Sequence, residues 1–175
     1  MHKRTLGRTG PAVSTLGLGA MGMSGAYGES DRSESVATVH AALEAGVTLI
    51  DTGDFYAMGH NELLLAEALR GRKRDSYELS VKFGMLSGPV PAFAGADCRP
   101  EAVKNFLAYS LNRLGTDYID IYRPARLDPA VPIEETVAAS TSERPTCRTY
   151  PARISSAMAP TVSSIGTAGS SRAGR

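Results

Sequence analysis

The sequence contains no tryptophan, and only two cysteines and three histidines occur among its 175 residues. The cysteines, Cys98 and Cys147, form neither a disulfide framework nor the spacing of a metal site. The few histidines offer no cluster of ligands either. The sequence therefore predicts no metal centre, and its cysteine usage fits a reducing compartment, which for this chain means the cytoplasm.

Long hydrophobic runs and a strong net charge are also missing. Lysine and arginine number 19 against 18 acidic residues, so the formal net charge is +1. The apolar stretch near the N-terminus is interrupted by Gly17, Gly19 and Gly22, and this excludes both a signal peptide and a membrane span. We expect the protein to bind neither nucleic acid nor a membrane.

Leucine is absent from residues 140–175, whereas residues 1–139 contain fifteen. The first segment carries 14 basic and 17 acidic residues, a formal charge of −3, and the second carries five arginines and one glutamate, a charge of +4. A segment so poor in apolar residues cannot offset the entropy of ordering, so residues 140–175 are predicted to be disordered. The change falls in the middle of a helical pattern, which indicates translation in a shifted reading frame.

The remaining residues alternate between strand and helix patterns. After a hairpin over 3–13, strands are predicted over 14–19, 47–51, 77–83 and 118–122, each followed by a helix, and residues 85–97 are predicted to form a loop. The helices are expected to start after Asp31, at 61, at Pro100 and at 132, and Gly46 and Gly115 are expected to end the first and third. Such alternation predicts a parallel sheet.

Three motifs give this pattern a family resemblance. The segment from Asp51 to Glu62, DTGDFYAMGHNE, resembles the aldo-keto reductase signature, which has the form Asp-Thr-Ala-x-x-Tyr-Gly followed by a glutamate. The segment VKFG around Lys82 resembles the second signature of that family, and SLNRLGTDYID, from Ser110 to Asp120, resembles the third. The resemblance extends from residue 3 to about residue 138.

The resemblance implies an α/β fold of the (β/α)8 TIM-barrel type, of which this chain contains the first four βα units. Residues 1–139 would then be the N-terminal half of the barrel and residues 140–175 an out-of-frame tail. The family also implies NADPH as cofactor and a small carbonyl compound as substrate. Gly19, Ala20 and Met21 would lie beside the nicotinamide, together with Asp51.

A catalytic set can be argued from the chemistry of carbonyl reduction. The hydride must come from a cofactor, because no side chain donates one. A phenol has a pKa of about 10, and a neighbouring ammonium lowers it, which makes tyrosine a usable acid. Tyr56 as acid, Lys82 as the tuning ammonium and Asp51 as partner of the lysine meet these needs. Each also has a simpler interpretation: a turn-forming aspartate, a solvated lysine, a packed aromatic ring.

The sequence departs from the family at the fourth catalytic position. The family has a histidine after the fourth strand, where this chain reads YRPARLD and places Ala125. Strand alternation puts Arg123 on the same side as Ala125. Arg123 is therefore a candidate to bind the substrate, and the alternative is a structural ion pair with Asp120 or Asp128.

Two classes of function remain open. One is an NADPH-dependent reductase of aldehydes and ketones. The other is an inactive truncated fragment, or a non-catalytic binding or regulatory module of the same family. Because the family takes its contacts to the nicotinamide amide and the 2′-phosphate from later strands, we expect the chain as given not to turn over NADPH. The sequence leaves the substrate, the choice between NADP and NAD, and the oligomeric state open.

Overall fold

The computed structural model describes residues 1–88 and 93–142, with the side chain of Ser142 excepted. Within these ranges a four-stranded parallel sheet organises the chain. Its strands lie in the order β3 (Gly17–Gly19), β4 (Leu49–Gly53), β5 (Glu78–Phe83) and β8 (Ile121–Pro124). The helices are α1 (Arg32–Glu44), α2 (His60–Ala68), α3 (Pro100–Leu114) and α4 (Ile133–Ser142). The predicted succession of four strand–helix units is therefore confirmed.

The hydrophobic core lies between the sheet and the helices. Helices α2, α3 and α4 contact strands β4, β5 and β8 in turn, and α1 packs beside α2. Strand residues that point toward the helices are fully buried, as are their helical partners: Ile50, Leu79, Val81, Phe83, Leu64, Leu65, Val103 and Leu107. Since side chains alternate along a strand, the intervening residues point to the opposite face. That opposite face carries the charged residues of the sheet and is called the polar face below.

Register on this polar face brings distant residues of the chain together. Gly19 pairs with Asp51, and Asp51 with Ser80 on the next strand. One layer further along, Lys82 pairs with Arg123. The carboxyl ends of these parallel strands meet at one edge of the sheet, which is where an α/β protein places its chemistry.

The helix boundaries follow the predicted capping signals. Asp31 accepts a hydrogen bond from the Glu34 amide at 2.8 Å and opens α1. Pro100 occupies the first turn of α3, where its missing N–H costs nothing. Gly115 ends that helix with a φ of 64°, a left-handed conformation that glycine adopts without strain.

Two strand predictions were displaced along the chain by tertiary hydrogen bonds. The predicted strand 14–19 begins at Gly17, because Ser14 belongs to an N-terminal hairpin of β1 (Lys3–Thr5) and β2 (Ala12–Ser14). Ser14 exchanges hydrogen bonds of 3.0 and 2.8 Å with Thr48. The predicted strand 118–122 begins at Ile121, because Arg74 binds the carbonyl of Tyr118 at 3.0 Å.

The prediction of a loop over 85–97 was wrong. Strands β6 (Met85–Ser87) and β7 (Phe93–Ala96) form an antiparallel pair there. Gly84, with a φ of 91°, turns the chain out of β5 into this hairpin. Gly95, one of the glycines that suggested a loop, lies within β7 and pairs with Leu86.

Helix α4 continues through residue 142, three residues past the predicted boundary of the tail. Ala139 and Ser140 are buried in it. The rest of the predicted disordered segment, residues 143–175, lies outside the described residues, and so does Cys147. Disorder of that segment stays a prediction.

Candidate active site

Asp51 and Lys82 form an ion pair on the polar face of the sheet. The Lys82 ammonium donates to Asp51 Oδ2, while Ser80 Oγ donates to Asp51 Oδ1 at 2.9 Å. Arg123 donates to the same Oδ1 at 3.1 Å. One carboxylate thus holds two cations, so the group as a whole is positively charged. Burial increases from Arg123 to Lys82, whose side chains are 45% and 14% exposed.

Tyr56 lies beside this ion pair. It follows β4 by three residues, and the Lys82 ammonium lies 5.0 Å from the centre of its ring. Phe55 packs edge-on against the ring at 4.9 Å. Gly53 permits the close approach, since a Cβ atom there would lie 3.2 Å from Tyr56 Cε1. The structure therefore brings Asp51, Tyr56 and Lys82 together, as the sequence predicted.

The turn after Tyr56 is strained. Ala57 and Met58 have φ angles of 46° and 53°, in the left-handed region that residues with a Cβ avoid. Both side chains are exposed, so packing does not explain the conformation. Two successive left-handed residues reverse the chain and let α2 start directly behind the tyrosine.

The segment from Gly19 to Met21 lies next to Asp51 on the same face. The Ala20 amide donates to the Asp51 carbonyl at 2.9 Å, and a 3₁₀ turn, Met21–Ser24, follows. No atom lies within 4 Å of the position that a Cβ of Gly19 would occupy. The face above Gly19 is thus open, and Asp51 borders it.

Asn61 is a buried polar residue that sequence reasoning missed. Its side chain is fully buried, accepts from Thr52 Oγ1 at 2.7 Å, and donates to the Ala20 carbonyl and to Ser24 Oγ at 2.7 and 2.8 Å. The only signal in the sequence is its place beside Glu62 at the end of the first signature. It links three segments that are far apart in the chain.

Behind the tyrosine lies a buried group of two acids and one base. Arg113 donates to Glu62 at 2.5 Å and to the Asp54 carbonyl at 3.4 Å. Burial, then the neighbouring Glu62, raises the pKa of Asp54 from 3.8 to about 7, against the opposing effects of Arg113 and the Phe55 amide. Burial also raises the pKa of Glu62, although Ser110 and Arg113 act to lower it. One guanidinium cannot neutralise two buried carboxylates, so Asp54 is protonated below about pH 7.

At the position of the family histidine this chain has Ala125, which lacks an imidazole ring. The Ala125 amide donates to the Phe83 carbonyl at 2.8 Å and ends the β8 ladder. His60 bonds Ser24 Oγ at 3.0 Å and His40 bonds the Ala68 carbonyl at 2.8 Å, so neither is engaged with the Asp51–Lys82 pair.

Arg123 has a different ion-pair partner from those predicted. Asp120 is held by Arg74 at 2.6 Å, and Asp128 accepts from the Cys98 amide at 3.0 Å. The structural partner of Arg123 is instead Asp51. Arg123 therefore belongs to the same group of charges as Lys82.

Over 1–88 and 93–142, no helix combines the length and the apolar character needed to cross a bilayer. In the same ranges, no three His, Cys, Asp or Glu side chains come close enough to bind a metal ion together.

Known proteins resemble this chain in sequence and in fold. The model of the aldo/keto reductase family matches residues 15–142. The Glycine max protein named "Probable aldo-keto reductase 1" is 38% identical over 133 residues, which cover 75% of this chain and 38% of that protein.

Two solved structures give the same result. An aldo-keto reductase of Bacillus halodurans in its holo form superposes with a TM-score of 0.76 at 32% identity, covering 86% of this chain and 49% of that one. The glycerol dehydrogenase of Gluconobacter oxydans gives 0.70 at 26% identity, covering 84% and 46%. The described part of the chain is thus the first four βα units of a TIM-barrel type fold, as predicted, and the chain spans about half the length of these structures. The chain belongs to the aldo/keto reductase family.

Proposed function

We propose that this chain carries the catalytic half of an NADPH-dependent reductase of small aldehydes and ketones. The observation that carries the proposal is the convergence of Asp51, Tyr56 and Lys82 on one face of the sheet, with the ammonium 5.0 Å from the tyrosine ring. Membership of an oxidoreductase family supports it. The chain spans about half the length of its structural relatives, so the activity of the complete enzyme is itself part of this proposal.

Each of the three residues has a distinct role. Tyr56 donates the proton to the carbonyl oxygen of the substrate. The Lys82 ammonium stabilises the phenolate that this transfer leaves behind, and the charge of the lysine is held in place by Asp51. Since Lys82 is largely buried, its interaction with the phenolate is weakly screened by solvent. The nicotinamide, when bound, supplies the hydride.

The cofactor is proposed to lie against Gly19, Ala20 and Met21, with Asp51 at its border. The open face above Gly19 fits a flat ring, which any side chain at this position would obstruct. The relative from Bacillus halodurans is described in a holo form, which agrees with a resident cofactor. NADPH is proposed in preference to NADH from the family resemblance alone.

Arg123 is proposed to orient the substrate. Its side chain is 45% exposed and faces the same opening as Lys82. A guanidinium there can hold an oxygen of the substrate in the position that an imidazole would otherwise serve. We also propose a cytoplasmic location, in keeping with the free and buried thiol of Cys98.

The test is NADPH oxidation at 340 nm with an aromatic aldehyde. Because the structural relatives are about twice as long, the assay uses the 175-residue chain alone and joined to the second half of the Bacillus halodurans reductase. Tyr56→Phe should lower kcat by about 10²-fold, the usual scale of general acid catalysis. Tyr109→Phe, on the exposed face of α3, is the matched control. Absence of turnover in both forms, or an unchanged kcat in Tyr56→Phe, would contradict the proposal.

A second candidate function rests on Ala125. No imidazole takes part in the described site, which favours a module that binds the cofactor without reducing a carbonyl. The two candidates differ in one observation. A binding module quenches NADPH fluorescence on titration but consumes no NADPH when aldehyde is added.

A further inference from the structure

We propose that Asn61 is a positioning residue that fixes the segment Gly19–Met21 relative to strand β4. The inference rests on the proposed function in one respect, namely that this segment contacts the cofactor. The structural link itself is independent of that function, because it consists of hydrogen bonds already made within the chain.

The orientation of the amide follows from its partners. The Ala20 carbonyl can only accept, so the nitrogen of the Asn61 side chain must face it. The second hydrogen of that nitrogen goes to Ser24 Oγ, and the oxygen then faces the Thr52 hydroxyl, which donates to it. Few other side chains offer two donors and an acceptor in so small a volume. Aspartate has the same shape but would set a carboxylate oxygen against the Ala20 carbonyl.

Hydrogen bonds therefore fix both the amide and the carbonyl group of Ala20. Its amide donates to the Asp51 carbonyl at 2.9 Å, and its carbonyl accepts from Asn61 at 2.7 Å. Thr52, the next residue after Asp51, completes the connection from Asn61 back to the strand. Asn61 therefore sets the distance between the segment Gly19–Met21 and the strand that carries Asp51. Ala20, Thr52 and Asn61 are all fully buried, so a hydrogen bond left unmade among them would be costly.

A residue that merely fills the core would act differently. Loss of a general core contact raises hydrogen exchange throughout the cooperative unit, whereas loss of a local tether raises it first in the segment released. The location of the faster hydrogen exchange therefore distinguishes a positioning residue from a residue that only fills the core. The described chain offers a reference in α3, whose buried stripe of Val103, Leu107 and Leu114 reports global opening.

The experiment is hydrogen–deuterium exchange by mass spectrometry on the 175-residue chain. In Asn61→Asp, peptides over residues 17–26 should exchange at least about tenfold faster, while peptides over 103–114 change by less than about threefold. Asn105→Asp, on the exposed side of α3, should leave both unchanged. Thr52→Val keeps the shape and removes one hydrogen bond, so it should give a smaller rise in the same peptides and serves if Asn61→Asp does not fold. Uniform acceleration, or no acceleration over 17–26 in both variants, would overturn the proposal.

A titration with NADPH separates this inference from the proposed function. If the unmodified chain binds NADPH, Asn61→Asp should weaken binding by about tenfold or more, and Asn105→Asp should not change it. Faster exchange over residues 17–26 together with an unchanged affinity for NADPH would overturn the positioning role. If the unmodified chain does not bind NADPH, the proposed function fails, and the exchange data alone decide whether Asn61 fixes the segment.

Discussion

Replacement of Asp54 by asparagine should stabilise the protein, and by more as the pH rises. The carboxyl is buried among Glu62, Arg113 and the Tyr56 loop, and its pKa is raised from 3.8 to about 7. In the unfolded chain it ionises near its ordinary value, so between these two pH values the unfolded state binds fewer protons than the folded state. The stability that the protonated carboxyl contributes is therefore complete below about pH 4 and is lost as the pH rises to about 7.

The size of the effect follows from the shift. A rise of about three units, at about 1.4 kcal/mol per unit, corresponds to a loss on the order of 4 kcal/mol above pH 7. At pH 5 only the first part of this loss has occurred. Asp54→Asn keeps the shape and removes the ionisation, so its advantage over the unmodified chain should be about 2–3 kcal/mol larger at pH 8 than at pH 5. For a chain of this size that is roughly 5–10 °C in Tm.

Urea unfolding followed by circular dichroism at pH 5, 6.5 and 8 measures the effect. The exposed Asp117→Asn on the surface loop after α3 is the control and should change stability by less than about 0.5 kcal/mol at each pH. An advantage of Asp54→Asn that is the same at pH 5 and pH 8 would show that the carboxyl is not held protonated in the folded protein.

Three further substitutions test other parts of the site. Glu62→Gln should destabilise the chain by about 2–4 kcal/mol in urea unfolding, because Arg113 would lose the carboxylate that its guanidinium binds; a loss below 1 kcal/mol would argue against the pair. Ala57→Gly should stabilise the chain by about 0.5–1 kcal/mol, because glycine relieves the left-handed strain. The control Ala37→Gly in α1 should destabilise it by about 1 kcal/mol. If both substitutions destabilised the chain, the backbone at Ala57 would not be strained. Lys82→Met should lower kcat for aldehyde reduction by about 10²-fold or more, and an active variant would remove the ammonium from the mechanism.

The site was predictable from sequence where it depends on strand ends. Asp51 and Lys82 lie in the second halves of neighbouring strands, β4 and β5, and in a parallel sheet such positions meet near one edge. Tyr56 lies close enough in the chain to follow Asp51 to that edge. These are local rules of register and periodicity, and the structure brings the three residues together accordingly.

Features decided by distant contacts were not predictable. The starts of β3 and β8 depend on bonds from Thr48 to Ser14 and from Arg74 to Tyr118, across more than thirty residues of chain. Asn61 looked like an ordinary residue near the start of a helix, because its partners are distant in sequence: Ala20 directly follows β3 and Thr52 lies in β4. No pattern in a single sequence reveals which polar residue will be buried where distant segments of the chain meet.

The most direct test of the central claim follows the hydride and the acid together. The chain, alone and joined to the second half of the Bacillus halodurans reductase, is incubated with an aromatic aldehyde and NADPH in which both hydrogens at C4 of the nicotinamide are replaced by deuterium, and the product is analysed by mass spectrometry. From the joined form the account predicts an alcohol with one deuterium on the former carbonyl carbon, and a yield about 10²-fold lower with Tyr56→Phe than with Tyr109→Phe. From the 175-residue chain alone it predicts no turnover. An alcohol without deuterium, no alcohol from either form, or equal yields from the two variants would contradict it.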